Sequence, residues 1–424
     1  MIYKDMHQHT YNPENIEVMA PVGSWESLAA AIRAKADAVY FGVGRLNMRS
    51  HSANKFTLDD LHRVAKECRR CGVKAYLTVN TIVYDAEMDD MRAIVGAARE
   101  AGVTAIIASD VSVMQECRSQ GVEVHLSTQL NISNVEALKF YAQFADVVVL
   151  ARELTLEQVD HIHRQVVEQR ICGPSGRLVR IEMFCHGALC MAVSGKCYLS
   201  LDNTLRSANR GQCMQLCRRS YTVSDTETGT QLEIDRQYIM SPRDLKTIRF
   251  LDKMLAAGVS VLKIEGRARP AEYVKTTVEC YREAVEAVLD GTFTEEKKDL
   301  WDERLRRVFN RDFWDGYYLG QRLGEWNEGY GSRATERKTF VGRCTNYFSR
   351  LAVGEFAVQA ATFRQGDRLL VTGPTTGALY LDATTIHDDN DFVEEALQGQ
   401  LVSVPVPQKV RRGDMLFRVD EVSL

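Results

Sequence analysis

The sequence predicts an α/β fold: a (β/α)8 TIM-like barrel with a cysteine-rich insertion after its seventh strand, followed by a small antiparallel β-barrel. Three observations lead there. Short, nearly continuous apolar runs alternate with helix-period segments from Ile16 to about Gly291. The seventh run is separated from the next helix-forming segment by a long stretch rich in cysteine and glycine. From Phe340 onward the texture changes to short alternating segments broken by turns.

The runs are IEVMAP, AVYFGV, KAYLTVN, AIIAS, VEVHLST, VVVLARE, LVRIEMF and VLKIEG, eight in all. Strands covered on both faces read this way, apolar at nearly every position. The segments between them have helical period. In Thr57–Cys71 the residues Leu58, Leu61, Val64, Ala65 and Cys68 share one face. Thr57 is placed to cap that helix, and Thr155 with Gln158 forms a capping box for another. Gly72, Gly102, Gly121 and Gly258 fall where helices close. Eight such units close a barrel. An open doubly wound sheet is the competitor; it usually has fewer strands and a glycine-rich first turn, and MAPVGSWES is only weakly glycine-rich. The strand LVRIEMF ends at Phe184, and the next helix is expected from near Asp244. The barrel is expected over residues 1–335, with its insertion at 185–240 and a charged helical stretch from Pro270 to about Glu325. Residues 336–424 form the second module, with Gly373-Pro374 and Arg412-Gly413-Asp414 as turn signals.

Composition limits the partners. Apolar residues are 45% and charged residues 26% of the 424, an ordinary soluble balance. No run approaches the ~20 apolar residues of a membrane span, so no membrane partner is expected. MIYKDMHQHTYNPEN lacks the apolar core of a secretory signal. A cytoplasmic protein with reduced thiols is expected, and the odd count of 11 cysteines argues against a disulfide framework. The net charge of −4 gives no global attraction to nucleic acid, so an RNA partner would need a local basic patch.

The chemistry-bearing residues fall in three groups. Cys190, Cys197, Cys213 and Cys217 follow the pattern Cys-x6-Cys-x15-Cys-x3-Cys inside the insertion. Clustered soft thiolates are ligands for zinc or for an iron–sulfur cluster. Zinc modules usually show two short knuckles, whereas a [4Fe–4S] cluster tolerates the uneven spacing; zinc stays as the alternative. Cys68 and Cys71 close a helix and read as structural, and Cys185 lies within or just after the strand. Strand ends supply the second group. Glu182, His186, Lys263 and Glu265 are candidates for catalysis. Asn80, Gln129, Asn131, Glu153 and Arg267, with Arg45 and Arg49 after the second strand, are candidates for substrate binding. Lys263 and Glu265 alternate with apolar Leu262 and Ile264, so both point to the lumen. The third group is basic: Arg210, Arg218 and Arg219 flank the cysteines and suit RNA phosphates or a small anionic metabolite.

The block E-x-F-x2-G-A-L-C-x4-G-x-C-x-L-S, from Glu182 to Ser200, resembles the signature of peptidase family U-32, the collagenase-like proteins. MAPVGSWESLAAAIRAKADAVYFG, STQLN, LARELTLEQV, SPRDL and LKIEGRARPAEYV are similar to further family stretches, so the resemblance spans essentially the whole chain. The family name implies a protease, yet the chain has no H-E-x-x-H and no G-x-S-x-G. Other members imply oxygen-independent hydroxylation of RNA bases or of a quinone precursor, with an iron–sulfur cluster on four cysteines that match Cys190, Cys197, Cys213 and Cys217. Chain length and the C-terminal module look most like the tRNA hydroxylases that make 5-hydroxyuridine at the wobble position. For those, prephenate is the implied co-substrate and tRNA the partner. A peptidase acting on a protein substrate is the alternative, and a non-catalytic RNA-binding or assembly factor with a structural metal is a second.

Overall fold

The computed structural model describes residues 16–48, 56–219, 222–233, 241–321, 324–327, 331–389 and 391–422. Eight parallel strands close a barrel: β1 (Glu17–Pro21), β2 (Ala38–Phe41), β3 (Lys74–Val79), β4 (Ala105–Ala108), β5 (Val124–Leu126), β6 (Val147–Val149), β7 (Arg180–Gly187) and, after the insertion, β11 (Val259–Ile264). β11 pairs with both β7 and β1, which seals the ring. The helices α1 (Trp25–Arg33), α2 (Leu58–Arg70), α3 (Met88–Ala101), α4 (Val111–Gln120), α5 (Val135–Ala142), α6 (Leu156–Glu168), α8 (Leu251–Ala256) and α9 (Ala271–Leu289) join the strands and cover them. Both expected capping threonines act: Thr57 accepts from the Asp60 amide and Thr155 from the Gln158 amide.

Apolar side chains sort into two layers, as strand alternation requires. Met19, Tyr40, Tyr76, Ile107, Val147 and Val261 fill the lumen, while Val18, Phe41, Leu77, Ile106, Leu262 and Ile264 pack outward against the helices. At the lumen floor Glu17 is buried. It accepts from the Tyr76 hydroxyl at 2.8 Å and Lys74 at 2.7 Å, with Arg180 at 3.4 Å.

The insertion leaves and re-enters at one place. It contains α7 (Leu199–Thr204) and the hairpin β8 (Thr222–Ser224) and β9 (Gln231–Glu233). It returns as β10 (Asp244–Lys246), antiparallel to the end of β7, with Leu245 opposite Gly187. The helix expected from near Asp244 therefore begins later, at Leu251. The intervening residues form a strand because the β7 extension offers an edge, and Thr247 bonds the Cys185 carbonyl through both its amide and its hydroxyl. Gly187 stands at that junction with φ +102, and a Cβ there would lie 2.3 Å from the Glu265 carbonyl oxygen. The close approach of β7 and β11 admits glycine alone.

Beyond α9 come α10 (Glu295–Arg307) and the two-residue β12 (Phe313–Trp314), which extends the sheet beside β10. The C-terminal module contains β13 (Glu336–Phe348), β14 (Val353–Val358), β15 (Phe363–Arg364), β16 (Arg368–Gly373), β17 (Gly377–Asp382), β18 (His387–Asp388), β19 (Asp391–Phe392), β20 (Glu395–Ala396), β21 (Leu401–Pro405) and β22 (Met415–Glu421). Eight of these form an antiparallel half-barrel in the order β17-β16-β22-β13-β14-β21-β18-β19, and β15 pairs with β20. Long β13 bends through two bulges, at Phe340/Gly342 and Cys344/Asn346. The module docks on α1 and α9 through a small apolar patch of Ala30, Ala271, Leu370 and Ala378.

Candidate active site at the barrel mouth

A cavity of about 350 Å³ opens at the C-terminal ends of the barrel strands, under the insertion. Cys190, Cys197, Cys213 and Cys217 all line it. So do Asn80, Gln129, Lys263, Glu265, Arg267 and Arg218 from the sequence-derived set. Barrel enzymes react at this end because strand-end loops converge there.

Lys263 sits in the lumen, with Nζ 2.6 Å from Glu182 and 4.8 Å above the Tyr40 ring. Its partner is thus Glu182 on the adjacent strand. Glu265 lies one pleat higher and accepts from the Tyr40 hydroxyl at 3.1 Å. Arg267 is buried and donates to Thr78 Oγ1 at 2.8 Å. Asn80 donates to Ser127 Oγ at 3.2 Å.

The insertion is held from outside rather than by a core of its own. Arg152 donates to Ser194 Oγ at 2.7 Å, and Asn131 to the Ser194 carbonyl at 3.2 Å. Arg218 donates to Ser241 Oγ at 2.7 Å and to the carbonyls of Pro242 at 2.7 Å and Leu189 at 2.6 Å. Arg210 pairs with Glu87, just before α3, and stacks over Tyr84 at 4.1 Å.

Several candidates lie elsewhere. His186 does not line the cavity. Strict alternation would carry it into the lumen after Glu182 and Phe184. A bulge breaks that phase: Lys263 faces Phe184, but Ile264 faces His186. The extra residue turns the imidazole outward, among Tyr273, Tyr281 and Phe313, with ring centroids 5.5–5.9 Å away. Burial, helped by Lys246 and Arg269, pushes its pKa down to about 3. Glu182 is fully buried beneath the cavity, on Lys263. Asn131 orients the insertion instead of facing the cavity. Glu153 borders a smaller side cleft with Trp314, Tyr317 and Trp326. Arg45 is exposed and pairs with Asp90 at 2.9 Å; Arg49 lies outside the described residues. Arg218 and Arg210 are engaged in holding the insertion, which leaves Arg219 as the exposed member of the basic trio.

Three further arginines line the cavity: Arg152, at a strand end beside Glu153, and Arg269, after the last barrel strand, stand where the sequence places polar and basic strand-end residues, whereas Arg311 was not among the sequence-derived candidates. Arg311 comes from the segment after α10, where no strand-end signal exists. Six basic side chains thus line the cavity, and among its described residues Glu265 is the sole carboxylate.

All four insertion cysteines are free, Cys190 and Cys213 exposed. Burial pushes the Cys217 thiol up, and the neighbouring Cys190, Cys213 and Cys197 add to the effect. Among the described residues no three His, Cys, Asp or Glu side chains are gathered closely enough to hold a metal ion as the chain stands. The donor set is nevertheless four thiols lining one cavity, which in kind suits a thiolate-bound cluster.

The family model of peptidase family U32 matches residues 23–328. The chain belongs to peptidase family U32. This U32 chain is 58% identical over 410 residues to a Porphyromonas gingivalis protein named collagenase, covering 97% of this chain and 99% of that one. It is 32% identical to the Bacillus subtilis tRNA hydroxylation protein P1, with 94% of each chain covered. Among solved structures, the tryptophan synthase A-subunit of Pyrococcus furiosus is similar at 17% identity over 69% of this chain and 97% of that one, with a TM-score of 0.33. No helix among the described residues is long and apolar enough to cross a membrane.

Proposed function

We propose that this U32 protein is an RNA-modifying enzyme that hydroxylates C5 of a tRNA uridine, using prephenate as co-substrate and a [4Fe–4S] cluster on Cys190, Cys197, Cys213 and Cys217. The observation that carries the reading is the cavity lining: four thiols, a basic wall and strand-end amide and hydroxyl groups share one concavity. The relative named for tRNA hydroxylation, matched along nearly its whole length, points the same way. The reading puts the enzyme in the cytoplasm with its tRNA.

When bound, such a cluster supplies one-electron chemistry and a site for an oxygen donor. The protein's own residues do the rest. Asn80, Thr78, Ser127 and Gln129 present donors and acceptors suited to the edge of a pyrimidine, and Tyr40 presents a ring. Lys263 and Arg267 place positive charge where charge develops on the ring oxygens. Glu265, held by Tyr40, is the cavity carboxylate suited to accept the proton that leaves C5. Phe184, Leu189 and Leu216 exclude water from one wall.

A peptidase reading is favoured by the name of the 58% relative. A thiol nucleophile needs a base within hydrogen-bond reach. Among the described cavity residues there is no imidazole, and His186 is buried elsewhere. The deciding experiment is mass spectrometry of tRNA nucleosides from a strain lacking the gene. Loss of 5-hydroxyuridine and its derivatives, restored by the wild-type gene, is expected. Unchanged nucleosides together with cleavage of a collagen peptide by the pure protein would replace this reading with the peptidase.

A further inference from the structure

Beside the cysteines, one wall of the cavity carries more buried positive charge than its surroundings neutralise. Arg269 follows β11 on the turn after Gly266, and Arg311 precedes β12. Both side chains are only 15% exposed, and both line the cavity. Their shared counter-ion is Asp244, at the start of β10. Arg269 Nη2 lies 4.0 Å from Oδ2, and Arg311 Nη1 lies 3.6 Å from Oδ1. Both distances exceed hydrogen-bond reach. Asp244 is itself buried and does not line the cavity, so it stands behind the guanidiniums.

Phe309 fixes the pair. The Arg269 guanidinium lies 3.5 Å from its ring centroid and that of Arg311 5.3 Å. Neither side chain donates a hydrogen bond to a described residue, though each carries five N–H donors. Burying charge without hydrogen-bonded partners costs free energy that the fold must recover elsewhere. Burial and the neighbouring Arg311 already hold the Arg269 pKa below its ordinary value despite Asp244. An oxyanion entering from the cavity would meet two forks in rigid positions, the arrangement that best binds carboxylate or phosphate. The other cavity cations differ, since Arg218, Arg152 and Lys263 all spend donors on the protein.

We propose that Arg269 and Arg311 form a subsite for a compact oxyanion, with the carboxylates of a small metabolite or a phosphate group as the ligand chemistry. The assignment rests on the cavity being the reaction site, and it gives the anionic co-substrate its seat beside the thiols. Asp244 sets the affinity by offsetting part of the charge.

The test is calorimetric titration of the full chain, without RNA, using malonate and inorganic phosphate in separate arms. Binding of malonate alone assigns the subsite to a dicarboxylate metabolite. Binding of phosphate alone assigns it to a nucleotide phosphate, and binding of both assigns the shared chemistry. In each case Arg269→Gln and Arg311→Gln should each weaken binding by about ten-fold or more, the loss of one charge-assisted hydrogen-bonding group. Asp244→Asn should tighten it, which a purely structural role would not do. Circular dichroism identifies variants that fail to fold, and Arg311→Lys, which keeps the charge but loses the fork, should bind at an intermediate level. No binding by folded wild-type protein, or unchanged binding by both glutamine variants, overturns the proposal. Nucleoside analysis of tRNA is a separate readout. Intact hydroxylation without oxyanion binding sinks the subsite alone, and oxyanion binding without hydroxylation sinks the RNA reading alone.

Discussion

At the scale of single residues, the Lys263–Glu182 pair decides how the site should be probed. Glu182 is fully buried, and its second oxygen, Oε2, has no hydrogen-bond partner among the described residues. Removing Lys263 leaves that charge uncompensated, so Lys263→Met should cost about 3–5 kcal/mol in urea unfolding. The double variant with Glu182→Gln should recover much of the loss. An inactive Lys263→Met protein with wild-type stability would show that the ammonium serves chemistry and not the fold. The alternation in VLKIEG was enough to send Lys263 and Glu265 to the lumen. The partner across the strand was not legible, because pairing depends on register. Nor was the position of His186, because a one-residue bulge leaves no mark on an apolar run. Its buried neutral state has a pH consequence. The unfolded chain takes up a proton near the ordinary histidine pKa of ~6.5, and the folded protein does so only near 3. The folded pKa is depressed, so this contribution to stability is complete above the ordinary value and is lost as pH falls toward 3. His186→Phe should flatten the stability profile across that window by up to about 1.4 kcal/mol per pH unit. Parallel profiles for the two proteins would contradict this placement.

At the scale of elements, the insertion behaves as a lid tied by arginines. Three hydrogen bonds from Arg218 fasten its two ends, at Leu189 and at Ser241–Pro242. Arg218→Ala should therefore open the segment between residues 188 and 243 to limited proteolysis while the barrel stays resistant, with cut sites read by mass spectrometry. If the barrel is cut at the same rate, the insertion and the barrel are one cooperative unit. For the same reason Arg218 is a poor probe of RNA contact. Exposed Arg206 and Arg219 on the same insertion are better. With ~3–5 phosphate contacts, log K for tRNA should fall against log salt with a slope of about −3 to −4. Reversing Arg206 and Arg219 to Glu should make that slope shallower, and a salt-insensitive interaction would remove the electrostatic account of binding. The barrel strands were readable because strands buried on both faces are apolar throughout. β10 was not, because DLK has no strand signature and is strand only by virtue of the β7 edge. Arg311 reaches the site by a tertiary route that no local pattern announces.

At the scale of the whole molecule, a barrel that supplies the cavity is joined to a half-barrel that grips its flank. Gly377 lies at the contact with φ +72, and a Cβ there would sit 2.7 Å from the Ala30 amide nitrogen. Lys338 pairs with Glu272 at 2.7 Å beside it. Gly377→Val should cost about 1–3 kcal/mol by overpacking this seam and straining the backbone, seen as a lower urea midpoint with unchanged far-ultraviolet dichroism. An unshifted midpoint would mean that the seam yields freely. The half-barrel left a clear imprint on the sequence through its alternating segments and turns, whereas its docking face did not, because Leu370, Ala378 and Gly377 carry no local pattern that sets them apart from the module's other strand residues. What unites the molecule is that four cysteines from across the insertion all line the barrel-mouth cavity. Iron analysis of anaerobically purified wild-type protein and of the four single Cys→Ala variants tests this most directly. A brown wild-type protein is expected, with iron lost in the variants of Cys190, Cys197, Cys213 and Cys217 but retained in Cys68→Ala and Cys71→Ala. A colourless wild-type protein carrying zinc, or full iron retention in any of the four variants, would contradict it.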